Sequence, residues 1–244
     1  MNTSKRIKLG IIAAPGWMDP TMNEFMDRHA GELEVTQTIM GPLGFDYSFE
    51  QIAAAEPHLT TAACLLAQAG CNVIAQVGPA FSYLIGSSPT GARALAERLS
   101  AACGVPVVLN GVAVLDMLDA LDVRQVAAAC PYYNEVWKSM YVNFLSRGGY
   151  QVETIQSFVD QGLFENQDMV DKRQWQFSDE EVMASVRRTC AASRSAQAVL
   201  ISGSGVRTLT WVLKLQVELG VALVSADYAL YTKVLQIAGL QANL

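Results

Sequence analysis

VIAQVGPAFSYL (73–84) and AVLISGSGVRTL (198–209) share one build. In each, a short continuous apolar run reaches a glycine, Gly78 or Gly203, and small residues lead on towards a helical pattern. Runs of this kind, without apolar–polar alternation, belong to strands buried on both faces of a parallel sheet. With these two, spanning 71–78 and 198–205, go similar runs at 8–15, 33–40, 105–111, 125–132, 150–158 and 221–227. Helical patterns fall between them, near 20–30, 50–69, 89–103, 112–121, 134–147, 178–195, 206–219 and 228–238. Regular alternation of this sort predicts an α/β protein with parallel sheets flanked by helices.

Local signals set the boundaries. Ser88-Pro89 places proline at a helix start, where its missing N–H costs nothing. Ser178 followed by Glu181 reads as a capping box. Gly70, Gly104, Gly148 and Gly220 each fall where a helix should stop before the next strand. The stretch 159–177, VDQGLFENQDMVDKRQWQF, fits neither period. It reads as a long connection or a short helix, and long connections often carry function. No linker rich in Pro, Gly or Ser divides the chain, so two lobes, if present, are closely joined.

Composition narrows the function classes. With 51% apolar and 16% charged residues in 244, the chain buries a substantial core and is not disordered. A formal net charge of -6 argues against nucleic-acid binding, which needs surplus Lys and Arg to neutralise phosphates. No apolar run is long enough to span a bilayer, and LGIIAA (9–14) reads as a first strand rather than a secretory segment. A cytoplasmic protein without membrane contacts is expected. Cys64, Cys71, Cys103, Cys130 and Cys190 are odd in number and form no Cys-x-x-Cys pair, which argues against a disulfide framework or a zinc ribbon. His29 and His58 stand alone in helical stretches and are expected at the surface, so neither a metal site nor a Ser-His-Asp triad is expected. SGSG (202–205) fits neither the phosphate-loop nor the dinucleotide-binding spacing.

In parallel α/β sheets, ligands bind beyond the carboxyl ends of the strands. Small residues there let backbone N–H groups face an anion, and a helix N-terminus adds a favourable field. Two such turns, Gly78-Pro79-Ala80 and Ser202-Gly203-Ser204-Gly205, would clamp a dicarboxylate if they faced each other. Taken singly, a glycine at a strand end is also just what a turn requires. Pro15 and Gly16 should form one cleft wall, and the Asn110 amide is a candidate donor to a carboxylate. Tyr132 offers a phenol to a developing anion, or is a rim aromatic. Tyr133 is a binding candidate or helix-facing core. Cys130 lies at the same strand end, with no basic neighbour in sequence to activate it. Asp227 is a base or a helix cap, and Arg207 a carboxylate partner or a solvated charge.

LISGSGVRTL (200–209), followed by LGVALVS (219–225), resembles the C-terminal active-site region of the aspartate/glutamate racemase superfamily. The branch it looks most like holds the arylmalonate decarboxylases and maleate cis-trans isomerases. IIAAP (11–15), VGPAFSY (77–83), GVPVV (104–108) and VAAACPY (126–132) extend the resemblance over most of the chain. It implies two similar lobes with parallel sheets related by a pseudo-twofold axis, residues 1–112 with 222–244 making one and 113–221 the other. The active site would lie in the cleft between them and use neither metal nor organic cofactor. A homo-oligomer is the default in such families. The resemblance also implies that Tyr132 hydrogen-bonds a substrate carboxylate.

Racemases of the superfamily place one cysteine at each of the two matching strand ends, and maleate isomerases also use two, one as nucleophile. Arylmalonate decarboxylases keep only the second, which protonates the enediolate after CO₂ leaves. In this chain the two positions are Gly78 and Gly203, the latter flanked by Ser202 and Ser204. Glycine delivers no proton, and a serine hydroxyl is a poor acid or base without a partner. Two-thiol racemisation is therefore disfavoured. Decarboxylation, which first needs carboxylate placement and an apolar pocket, is less affected. Its proton would come from Ser204, Tyr132, Tyr133, Cys130 or water. The expected function is a cofactor-independent, arylmalonate decarboxylase-like enzyme on a small carboxylic or dicarboxylic acid. The alternatives are a maleate isomerase-like enzyme, a thiol-independent hydratase or hydrolase, and a carboxylate-binding protein without turnover. Tyr132, Ser204 and Cys130 are the catalytic candidates. Pro15, Gly78, Pro79, Ala80, Asn110, Tyr133, Ser202, Gly203 and Gly205 are the binding candidates. A cysteine placed at Gly203 is expected to create or alter activity if the thiol alone is what the chain lacks.

Overall fold

All eight expected strands form in a computed structural model, which describes residues 7–29, 31–203 and 205–240. The first sheet comes from β1 (Ile7–Ala13), α1 (Thr21–Arg28), β2 (Leu33–Ile39), α2 (Phe49–Ala53), α3 (Glu56–Gln68), β3 (Val73–Gln76), α4 (Pro79–Gly86), α5 (Pro89–Cys103) and β4 (Val107–Leu109). After α6 (Asn110–Ala120) the second sheet is laid down by β5 (Gln125–Ala129), α7 (Glu135–Ser146), β6 (Gln151–Gln156), α8 (Gln167–Asp171), α9 (Asp179–Ala192), β7 (Ala198–Ile201), α10 (Val212–Leu219) and β8 (Ala222–Ser225). Helix α11 (Ala226–Ala238) follows.

The sheet orders are β2-β1-β3-β4 and β6-β5-β7-β8, and every pairing is parallel. The second sheet thus repeats the topology of the first, which is the structural basis of the two matching sequence stretches. In both sheets the strand order reverses between the first and third strands, and a ligand crevice opens at such a point. Ile12 pairs with Gln76, and Ala129 with Ile201. That register sets the turn after β1 beside Gly78, and the turn after β5 beside Gly203. The strands are shorter at their carboxyl ends than the apolar runs suggested. The residues left over form these turns.

Burial explains the apolar runs. Val126 and Ala128 join a core shared with Leu9 and Ile74 of the first sheet, Leu118 of α6 and Val234 of α11. Ala127 and Ala129 belong to a second cluster with Val199, Val186 and Val212. Successive residues of β5 therefore serve opposite faces, both buried, and no polar alternation is possible. The starts of α6 and α11 are tied by Asn110 Nδ2, which donates to the Ala226 carbonyl at 2.6 Å.

The boundary signals hold where the chemistry is local. Ser88 accepts from the Gly91 N–H at 3.1 Å, with Pro89 in the first turn, and Ser178 with Glu181 forms the reciprocal capping box. Four expectations need correction. The helix near 50–69 is two helices, because Pro57 has no N–H with which to continue the first through the second. The helix near 206–219 begins only at Val212, because the preceding residues make a turn pinned to α11. Gly149, at φ 80°, takes the left-handed position expected of Gly148. Gly148 is glycine for space, since a Cβ there would lie 2.7 Å from Pro89 Cγ. His29 is not at the surface: it is 2% exposed, and its Nδ1 pairs with Glu32 Oε2 at 2.9 Å. Helix α4 is new; its sequence PAFSYLIG carries no polar face to reveal its period. Among the described residues, no helix is long and apolar enough to cross a membrane.

Candidate active site

Beyond the carboxyl ends of the central strands lies a cavity of about 970 Å³. Gly16, Trp17 and Met18 after β1, Tyr132 after β5 and Gly205 and Arg207 after β7 line it, and Val170, Asp171 and Gln174 to Phe177 close it. A second cavity of about 370 Å³ adjoins it, lined by Ala80 and Phe81 at the start of α4 and by Tyr133 and Trp137. Trp17, Tyr132, Asp171 and Trp175 line both. Aromatic rings pack along this common wall: Trp17 and Trp175 are 6.4 Å apart, and Tyr132 lies parallel to Phe177 at 6.2 Å.

The turn after β7 depends on two glycines. Gly203 has φ 141°, and a Cβ there would lie 2.7 Å from Tyr132 Cε1 and 2.9 Å from its Oη. Gly205 has φ 76°, and its Cβ would lie 3.1 Å from Trp17 Cζ2. Both positions demand left-handed backbone and close approach of a ring at once. Gly78, at φ 97°, precedes the first turn of α4. The expected run of N–H donors from Gly78 to Ala80 is thinner than the spacing suggested, because Pro79 has none. Gln76, fully buried beneath this turn, donates to the carbonyls of Val77 and of Gly78, the latter at 3.0 Å.

The remaining candidates divide by position. Asn110 and Gly203 line a small hollow with Asp19, Asp227 and Gly205. Pro15 is buried and its carbonyl accepts from Tyr47 Oη at 2.5 Å, so the wall expected of it is built by Gly16 to Met18. Tyr133 Oη and Ser202 Oγ pair with each other at 3.1 Å, both buried. Gly78, Pro79 and Ser202 are buried and line none of these cavities. Cys130 is 0% exposed, and burial pushes its thiol far above the usual range. Ser204 lies outside the described residues.

Sequence reasoning missed the two tryptophans and the acid Asp19. Asp19 is 6% exposed, and its Oδ1 accepts from the Thr21 N–H at 2.7 Å. Asp227 is buried too. Its Oδ2 accepts from Thr208 N–H at 2.7 Å, and its Oδ1 from Thr208 Oγ1 at 2.6 Å, Ser225 Oγ at 2.8 Å and Tyr228 N–H at 2.9 Å. Ser225, not Asp227, is the N-cap of α11. Arg207 is exposed and makes a loose pair with Glu24 at 3.7 Å.

Asp19 carries a pH-dependent cost. Desolvation is the first cause that lifts its carboxyl from the ordinary 3.8 to about 6, with Asp227 adding repulsion. The folded state holds this proton more tightly than the unfolded chain. The group's favourable contribution is therefore complete below about pH 4 and is lost as the pH rises to about 6. Asp19→Asn keeps the acceptor for Thr21 and carries no charge. The variant is expected to be more stable than the parent by about 1–3 kcal/mol at pH 7.5. The gap should close near pH 4, as read from urea unfolding at both pH values. Equal stability at pH 7.5 would show that the buried carboxylate costs nothing.

The family model described as arylmalonate decarboxylase matches residues 36–244. Solved structures match over nearly the whole chain. An unliganded arylmalonate decarboxylase is 23% identical with a TM-score of 0.75, covering 97% of this chain and 94% of that one. The maleate isomerase Iso from Pseudomonas putida S16 is 16% identical with a TM-score of 0.74, covering 97% and 94%. Nocardia farcinica maleate cis-trans isomerase bound to TRIS is 19% identical with a TM-score of 0.74, covering 96% and 93%. The search of curated protein sequences gave no match. At these identities the structural likeness is one of fold.

Proposed function

This chain belongs to the arylmalonate decarboxylase family, and from that premise we propose that it is a cofactor-independent enzyme that removes CO₂ from a malonate bearing an aromatic substituent. The observation that carries the reading is the aromatic wall shared by the two cavities. Trp17, Trp175 and Tyr132, with Phe177 beside Tyr132 in the larger cavity, supply flat apolar surface at the strand ends, where an aryl group packs by offset or edge contacts.

One carboxylate of the substrate is placed against the start of α4, where the Ala80 N–H lies in the field of the helix N-terminus. The Tyr132 phenol supplies a side-chain donor near the same place. The other carboxylate, set among aromatic rings and stripped of water, leaves as CO₂. The carbon–carbon bond breaks, its electron pair spreads onto the retained carboxylate as an enediolate, and a proton then joins the α-carbon. Donors aimed at the enediolate are stronger in a dry site than in water. Arg207, at the mouth of the larger cavity, draws the dianion inward.

His29 is buried against Glu32, and His58 is exposed on α3. Among the described residues, no three His, Cys, Asp or Glu side chains converge to hold an ion. Purified protein, dialysed against EDTA, is expected to release CO₂ from α-aryl malonates, measured by headspace analysis. Activity that appears only on adding a divalent ion would defeat cofactor independence. Isomerisation of maleate with no CO₂ from any malonate would replace this reading with an isomerase.

A further inference from the structure

We infer that Tyr132 is the proton donor to the α-carbon, an inference that rests on the decarboxylase reading above. Several proton carriers stand at or near the described walls of the cavities. Tyr47 spends its hydroxyl on the Pro15 carbonyl, and burial raises it to about 12. Tyr133 is buried, pairs with Ser202, and is pushed well above its ordinary range by desolvation. Cys130 has no exposure to either cavity. Asp171, at an exposed position, accepts from Gln167 Nε2 at 2.8 Å. Tyr132 is the phenol that lines both cavities and stands at the strand end itself.

Its position is fixed closely. The Oη lies 2.9 Å from where a Cβ at residue 203 would be, and Cε1 lies 2.7 Å from that point. The phenol thus fills the space that a side chain at the end of β7 would take. The ring runs parallel to Phe177 at 6.2 Å and meets Tyr133 edge-on at 5.5 Å. Gln167 Nε2 donates to the Tyr132 carbonyl at 3.1 Å and fastens the backbone to α8. A glycine at 203 and a tyrosine at 132 are one arrangement: the missing side chain of the first makes room for the hydroxyl of the second.

The chemistry balances with water as the only co-reactant. Loss of CO₂ leaves the electron pair on the enediolate. The Tyr132 O–H bond breaks as the new C–H bond forms at the α-carbon, and the phenolate recovers a proton from solvent water. Because the ring is held on one side of the cleft, the proton arrives on one face of the carbon.

A prochiral α-methyl-α-phenylmalonate tests this. Unmodified protein should release CO₂ and give one enantiomer of the monoacid, and in D₂O deuterium should enter at that face. Tyr132→Phe keeps the ring and its contacts with Phe177 and Tyr133, so the variant should fold. Its kcat should fall about a hundredfold, the lower end of what a positioned acid supplies. The product that remains should be racemic, because water protonates both faces. If the parent releases CO₂ but Tyr132→Phe still gives a single enantiomer, Tyr132 only binds the carboxylate and this inference alone fails. If the parent releases no CO₂, the decarboxylase reading fails and takes the inference with it.

Discussion

Gly203→Cys is expected to destabilise the protein by about 2–6 kcal/mol and to lower activity rather than supply it. Two costs add. Residue 203 holds φ 141°, where a residue with a Cβ is strained by about 1–3 kcal/mol. The new Cβ would also lie 2.7 Å from Tyr132 Cε1, closer than packed atoms tolerate, and overpacking costs about 1–3 kcal/mol. The ring, as a side chain, gives way before the backbone does. It would then leave the place where the phenol faces substrate. The expectation from sequence, that a cysteine at 203 creates or alters activity if the thiol alone is what the chain lacks, thus becomes an expected loss. Adding Tyr132→Ala to Gly203→Cys should return the overpacking part and leave the backbone part, so the pair should be clearly non-additive in urea unfolding. A single Gly203→Cys variant as stable as the parent would mean that ring and turn are not packed as described.

What could be read in advance follows from how local each feature is. The strands were legible because β3 and β7 are buried on every residue, and their apolar runs are unbroken. Helix α4 was hidden for the same reason: nearly every side is covered, so no polar stripe marks a 3.6-residue period. The glycine turns were legible as turns, but not that Gly203 and Gly205 must also clear the rings of Tyr132 and Trp17. Cys130 shows the limit of judging a site from strand ends. It continues the parity of Val126 and Ala128, which face the shared core, so it points away from the crevice. Tyr132, one turn further on, touches both clusters and reaches the cavity. Trp175 gave no signal because its backbone breaks a local preference. It sits at φ 64° behind Gln174 at φ 47°, a left-handed pair without glycine. Only the failure of 159–177 to follow either period marked that segment for function.

Asp227→Ala is expected to cost about 2–4 kcal/mol of stability and to depress activity through the turn it holds. The carboxylate is wholly buried, and desolvation pushes its pKa up despite four donors. Its removal leaves the Thr208 N–H without an acceptor, and the Tyr228 N–H with only Ser225 Oγ at 3.3 Å. Thr208 Oγ1 and Ser225 Oγ can still pair with each other at 2.6 Å, so the loss falls on the two backbone groups. Unsatisfied buried donors cost about 1–3 kcal/mol each. Asp227→Asn separates charge from geometry. If its amide oxygen takes the Oδ1 place, its NH₂ faces the Thr208 N–H, donor against donor. Turned over, the NH₂ faces the Tyr228 N–H instead. Either way one backbone donor is lost, so the variant should fall between parent and alanine even though it carries no buried charge. Thr208 closes the turn that contains Gly205, and Gly205 packs under Trp17. Freed from Asp227, that turn shifts against the aromatic wall, and kcat/KM should fall along with the unfolding midpoint. An Asp227→Asn variant more stable than the parent at pH 7.5 would show that the charge, not the lost acceptor, decides the balance at this position.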